Sequence, residues 1–122
     1  MKKKILSSLL GLSIFAVAGT AFAAISEKGV HVPSNGGNYL SPSAPATGNT
    51  QYGSVQSVTP TSKIYGTVVD YATDDNLSSE TRLGTSKTSI KSSATKNQEI
   101  QLMLETSLFN TDPVRVDYTF WP

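Results

Sequence analysis

The sequence predicts an all-β protein, a small antiparallel β-sandwich preceded by a flexible Pro/Gly/Ser-rich N-terminal arm. Three observations predict it. Apolar residues alternate with period two over residues 63–71 and 114–121, as they do in half-buried strands. The candidate strands are short, and polar, turn-forming clusters separate them.

Residues 1–23 read as a secretory signal. Met1-Lys2-Lys3-Lys4 is a positive start, and residues 5–19 are an apolar run too short to span a bilayer comfortably. Ala21 and Ala23 put small side chains three residues and one residue before a cleavage site after Ala23; a cut one residue later would put bulky Phe22 where a small side chain is needed. The expected organisation is a signal peptide over 1–23, an arm over 24–50 and a β-sandwich domain over 51–122. The expected destination is outside the cell, with the periplasm as the second choice.

Composition narrows the function classes. Of the 10 basic and 9 acidic residues, the leader carries three lysines, so the 99-residue remainder holds seven basic against nine acidic groups. No basic cluster survives to neutralise a row of phosphates, which argues against nucleic acid as a partner. The absence of cysteine excludes a disulfide framework, a thiolate metal site, a cysteine nucleophile and a cysteine-anchored lipoprotein. No segment after residue 24 is apolar for long enough to be a transmembrane helix, so the chain is not expected to span a membrane. No cofactor is expected.

The elements follow in order. Four of the six prolines fall between residues 32 and 61, together with Asn35-Gly36-Gly37-Asn38 and Gly48-Asn49. Proline removes amide donors and glycine raises the entropy cost of ordering, which makes residues 24–50 an arm or loose loop. Residues 52–58 are a short first strand in which Tyr52, Val55 and Val58 do not alternate cleanly. Over residues 63–71, Tyr65, Thr67, Val69 and Tyr71 share one face and Ile64, Gly66 and Val68 the other. Residues 72–79 form a polar turn, and residues 81–93 supply one or two edge strands with Leu83 and Ile90 as their large apolar residues. Lys87 and Lys91 guard that edge against pairing with other chains.

Residues 99–109 fit a strand with Ile100, Leu102, Leu104, Thr106 and Leu108 inward, and also a helix with Ile100, Leu104 and Leu108 at spacing four. Strands and turns on both sides favour the strand. Residues 114–121 alternate Val114, Val116, Tyr118 and Phe120 with Arg115, Asp117, Thr119 and Trp121. With Asn110-Thr111-Asp112-Pro113 as the turn, residues 99–121 read as an antiparallel hairpin. One register of that hairpin sets Glu105 against Asp117, and the other forces Pro113 into a tight loop.

Chemistry-bearing residues are sparse. His31, the single histidine, lies beside the arm with no nucleophile-elbow motif to complete a triad. Asp74-Asp75-Asn76 with Glu80 lacks the glycine and spacing of a calcium loop, and Gly84-Thr85-Ser86-Lys87-Thr88 lacks the core of a phosphate loop. No catalytic set and no metal set emerge. The hairpin reading places Met103, Phe109 and Trp121 together on the face away from the core, where exposed apolar groups mark a binding surface. The arm or a second subunit could also cover them.

The run Gly84-Thr85-Ser86-Lys87-Thr88-Ser89, followed after a polar loop by a segment ending in Val116-Asp117-Tyr118-Thr119-Phe120-Trp121, resembles the lactococcin 972 family of secreted bacteriocins. That family comprises short, cysteine-free chains with a signal peptide, a β-sandwich fold and a C-terminal aromatic strand. The resemblance covers about residues 84–121. It departs from the family where a small-residue and tryptophan motif is replaced by Ile100-Gln101-Leu102-Met103, and the proline-rich arm has no counterpart. The resemblance implies a protein that acts on neighbouring bacteria by binding a cell-wall precursor.

The expected function is therefore a secreted, non-enzymatic β-domain that binds a cell-envelope component or another protein, with a bacteriocin-like antibacterial protein as its sharpest form. The alternatives are a self-assembling extracellular matrix or surface protein, which would be a homo-oligomer, and an inhibitor of an extracellular enzyme.

Overall fold

The computed structural model describes residues 12–16, 23–107 and 111–122. Among them are ten strands and no helix: β1 (Leu12–Ala16), β2 (Ala23–Val32), β3 (Asn38–Leu40), β4 (Ala44–Pro45), β5 (Thr50–Thr59), β6 (Ile64–Asp70), β7 (Thr81–Leu83), β8 (Thr88–Lys91), β9 (Glu99–Thr106) and β10 (Val114–Trp121). No helix of the described residues is long and apolar enough to cross a membrane. The front sheet runs β1-β2-β10-β5-β8 and the back sheet β3-β9-β6-β7, with β4 also paired to β9. Every pairing between these strands is antiparallel. The expected small all-β sandwich is the fold.

The core lies between the sheets. Ile25, Val32, Val55, Val116, Tyr118 and Phe120 face it from the front, and Ile64, Val68, Ile100, Leu102 and Leu104 from the back. Each such side chain, fully buried, contributes about 1.5–3 kcal/mol, which is how a cysteine-free chain of this size holds together. Leu83 packs where two glycines leave room. A Cβ on Gly66 would stand 2.9 Å from Leu83 Cδ1, and one on Gly53 would stand 3.3 Å from the same atom.

Residues 99–106 are a strand with the expected inward set, and residues 81–93 supply two edge strands, β7 in the back sheet and β8 in the front. The hairpin expected over residues 99–121 is corrected: β9 and β10 lie in different sheets. Each carries a continuous apolar face, and placing the strands in opposed sheets lets those faces pack on each other. It also removes the repulsion of Glu105 by Asp117 and frees Pro113 from a tight two-strand turn.

The sandwich also draws on residues before 51. β2, within the expected arm, is bound to β10, and Ile25, Val30, Val32 and Ala46 belong to the core. β3 and β4 lie along the edge of β9, where prolines 42 and 45 are tolerated because edge strands have unpaired amides to spare. β1 falls inside the expected leader and pairs with residues 23–27 of β2.

The two outer neighbours of β10 both slip register beside Asp117. β2 places residues 28 and 29 there, and β5 inserts Gln56 between Val55 and Ser57. Gly29 takes a φ of 66° at this point, and its amide donates to Asp117 Oδ1 at 2.7 Å. The bulge in β5 explains the broken alternation of Tyr52, Val55 and Val58: Val55 and Val58 both face inward, while Tyr52 faces out.

Candidate binding surface

β10 alternates strictly, so with Val114, Val116, Tyr118 and Phe120 in the core, Arg115, Asp117, Thr119 and Trp121 face outward. Trp121 stands directly opposite Tyr52 of β5 on this outer face of the front sheet, and both rings are half-buried. The ammonium of Lys87, just ahead of β8, lies 4.6 Å from the Trp121 ring centre and 4.8 Å from that of Tyr52. Each contact is within the range of a cation–π interaction.

A row of small polar side chains continues from this pair along the sheet. Ser26 of β2 and Thr119 of β10 are hydroxyl to hydroxyl at 2.9 Å, and the Gln56 amide donates to Ser54 Oγ. Aromatic faces beside hydroxyl and amide groups suit a ligand with an apolar side and polar substituents.

Of the residues expected to form one surface, Trp121 is on the outer face of the front sheet and Met103 on the outer face of the back sheet, half-buried with Leu40 and Thr67 as its register partners. The structure therefore separates them by the thickness of the sandwich, a consequence of assigning β9 and β10 to different sheets. Phe109 lies outside the described residues. Tyr52 and Lys87 belong with Trp121, and sequence reasoning missed the grouping because the bulge at Gln56 hid which way Tyr52 faces.

The other polar features are structural in character. Glu27 points into the core, 1% exposed, and its Oε1 accepts from both Tyr39 and Tyr118 hydroxyls at 2.6 Å. The two phenol rings meet edge-on at 6.3 Å. Burial, reinforced by the bonds to Glu27, holds both phenols far above their ordinary range, so they remain donors. Glu27 Oε2 is buried without a partner. His31 is exposed on β2 opposite Arg115. The Asp70 carboxylate accepts from Gln98 and from Thr73, which holds its pKa below the usual value and ties the polar turn in place.

On the back face, burial and the Glu80 carboxyl push Glu105 up to about 7. Among the described residues no group of three or more His, Cys, Asp or Glu side chains could hold a metal ion.

Fold and surface together define a two-sheet antiparallel β-sandwich with an aromatic and hydroxyl-lined outer face. No protein-family model, curated protein or solved structure matches the chain.

Proposed function

We propose that the chain is an exported, non-enzymatic β-domain that binds a component of the cell envelope through the outer face of its front sheet, with an antibacterial protein as the sharpest form of that role. The observation that carries this reading is the Tyr52 and Trp121 pair, held in register on adjacent strands and turned to solvent beside Ser26, Ser54, Gln56 and Thr119. A core residue would be turned inward, as Tyr118 and Phe120 of the same strand are. The buried carboxyl of Glu27 is enclosed by two tyrosines, which keeps it from a substrate, and His31 stands exposed on β2 opposite Arg115.

The test is co-sedimentation of the purified exported protein with isolated bacterial envelopes, alongside its addition to growing cultures while growth and septa are followed. Trp121→Ala is expected to abolish envelope capture while urea unfolding stays cooperative. Capture that is unchanged in Trp121→Ala sinks the surface assignment, and growth with normal septa at micromolar protein removes the antibacterial form.

One observation favours a second reading, self-assembly. β1 lies in the expected leader and covers residues 23–27 of β2, so leader removal would open a sheet edge to pairing. Sedimentation of the processed protein over a concentration series decides this: a single monomeric species throughout excludes it.

A further inference from the structure

We propose that the Tyr52 and Trp121 pair is a site for an organic ammonium ion, best a quaternary one, and that Lys87 is its internal occupant. The proposal rests on the reading of this face as the binding surface and names the ligand chemistry that the rings select.

The two rings sit opposite each other on neighbouring strands, and one ammonium nitrogen already contacts both, at 4.6 and 4.8 Å. The negative faces of the two π systems therefore converge on one position, and that position is occupied by a cation. Lysine is a weak tenant of such a place. Its ammonium is compact and strongly hydrated, and it gives up hydrogen bonds to water to rest on carbon. A quaternary ammonium has no N–H to forfeit and covers more of each ring with methyl groups, so it gains more from the same two walls.

The lysine is also placed to leave. Lys87 is exposed and precedes Thr88, the first residue of β8. The loop behind it is fixed at its start by the Val55 amide donating to Gly84 O at 2.8 Å, and near its end by the Thr88 hydroxyl donating to Ser86 O at 3.0 Å. The backbone is held while the four-carbon stem is free to rotate, so vacating the rings needs side-chain torsions alone. Lys87 acts as a tethered competitor that an external cation displaces.

Trp121 is the only tryptophan, so its fluorescence reports this site alone. The processed, exported protein would be titrated with choline and, separately, with 3,3-dimethylbutanol, which has the same shape without the charge. Choline is expected to give a saturable change in the millimolar range, at least about tenfold tighter than the alcohol. Lys87→Ala should tighten choline binding about two- to fivefold, the factor that a surface cation–π contact is worth, with an unchanged circular dichroism spectrum. Tyr52→Leu should weaken it by at least about the same factor.

No saturable response up to about 0.1 M choline, an equal response to the alcohol, or no gain from Lys87→Ala would each overturn the proposal. Failure of the underlying reading is seen separately, as envelope capture that ignores Trp121→Ala. Envelope capture that needs Trp121 while choline neither binds nor competes would leave the surface and remove the ammonium.

Discussion

The outward faces of the two sheets are made of comparable residues, yet the fold covers a patch of the back one around Thr67, Val69 and Gln101. On the front sheet, Tyr52, Trp121, Thr119 and Ser26 are half-exposed. On the back sheet, Thr67, Val69 and Gln101 also point away from the core but are 3%, 2% and 3% exposed. Gln101 donates its amide to Ser41 O at 2.7 Å, and Ser41 in turn bonds the Leu102 backbone through both its own amide and its hydroxyl. The irregular edge between β3 and β4 thus closes over part of the back face. Side chains under that closed patch serve stability, whereas Tyr52, Trp121, Thr119 and Ser26 stay within reach of solvent.

The largest effect expected from a substitution lies directly behind the open face, in the polar knot that the front sheet sends into the core. Glu27→Ala removes the shared acceptor of two buried phenols and leaves a cavity, with an expected loss of about 3–5 kcal/mol. The knot is incompletely satisfied, since Glu27 Oε2 has no partner. Replacing the whole of it, Glu27→Leu with Tyr39→Phe and Tyr118→Phe, should therefore recover wild-type stability to within about 1 kcal/mol. Urea unfolding of the single and triple variants checks this. A triple variant no better than Glu27→Ala would mean that the knot's hydrogen bonds, and not merely its filled volume and paired groups, hold the sheets together.

A smaller effect tests the two faces against each other. Gln101→Ala deletes a buried amide bonded to the Ser41 carbonyl and is expected to cost about 1–2 kcal/mol while leaving envelope capture intact. Thr119→Ala on the open face should change stability by no more than about 0.5 kcal/mol and reduce capture instead. Reversal of either pattern would mean that the open face is structural or that the closed patch is accessible.

How much of this was legible in the sequence depended on whether the period of two ran unbroken. β9 and β10 alternate without interruption, so their inward sets could be read from residue types alone, down to Ile100, Leu102 and Leu104; β6 alternates as well, but both of its faces carry strand-forming residues, so its two faces could be separated and not assigned. β2 and β5 could not be read in this way. Each bulges beside Asp117, and β2 turns a glutamate inward where the pattern calls for an apolar side chain, so neither strand's facing follows from hydrophobicity. That inversion stands because two tyrosines come from elsewhere in the chain, Tyr39 from β3 and Tyr118 from β10. Trp121 was identified as outward because β10 is regular. Its partner Tyr52 was hidden by the bulge at Gln56, and Lys87, expected as an edge guard, proved also to cap the ring pair. The signal that could have found the group is the single outward tryptophan at a strand end, which asks for an aromatic or cationic neighbour on the next strand.

The smallest effect is one of pH and belongs to the back face, outside its closed patch. Glu105 lies on the outer face of β9, with Asn38 and Tyr65 as its register partners and the Glu80 carboxyl close by. Burial and that neighbour raise it from 4.5 to about 7. A carboxyl whose folded value exceeds its unfolded one holds its proton more tightly when folded, so its contribution is fully present below about 4.5 and is lost as pH rises through about 7. Folding stability should therefore decline across that window and level off above it, by a modest amount because solvent reaches the pair. Glu105→Gln removes the titration and should flatten the profile, and Glu80→Gln should shift the decline to lower pH by lifting the like-charge repulsion. Urea midpoints at half-unit steps of pH measure all three. A decline that survives Glu105→Gln would place its source elsewhere in the molecule, and a Glu105→Gln variant that also changed envelope capture would show that the back face takes part in binding.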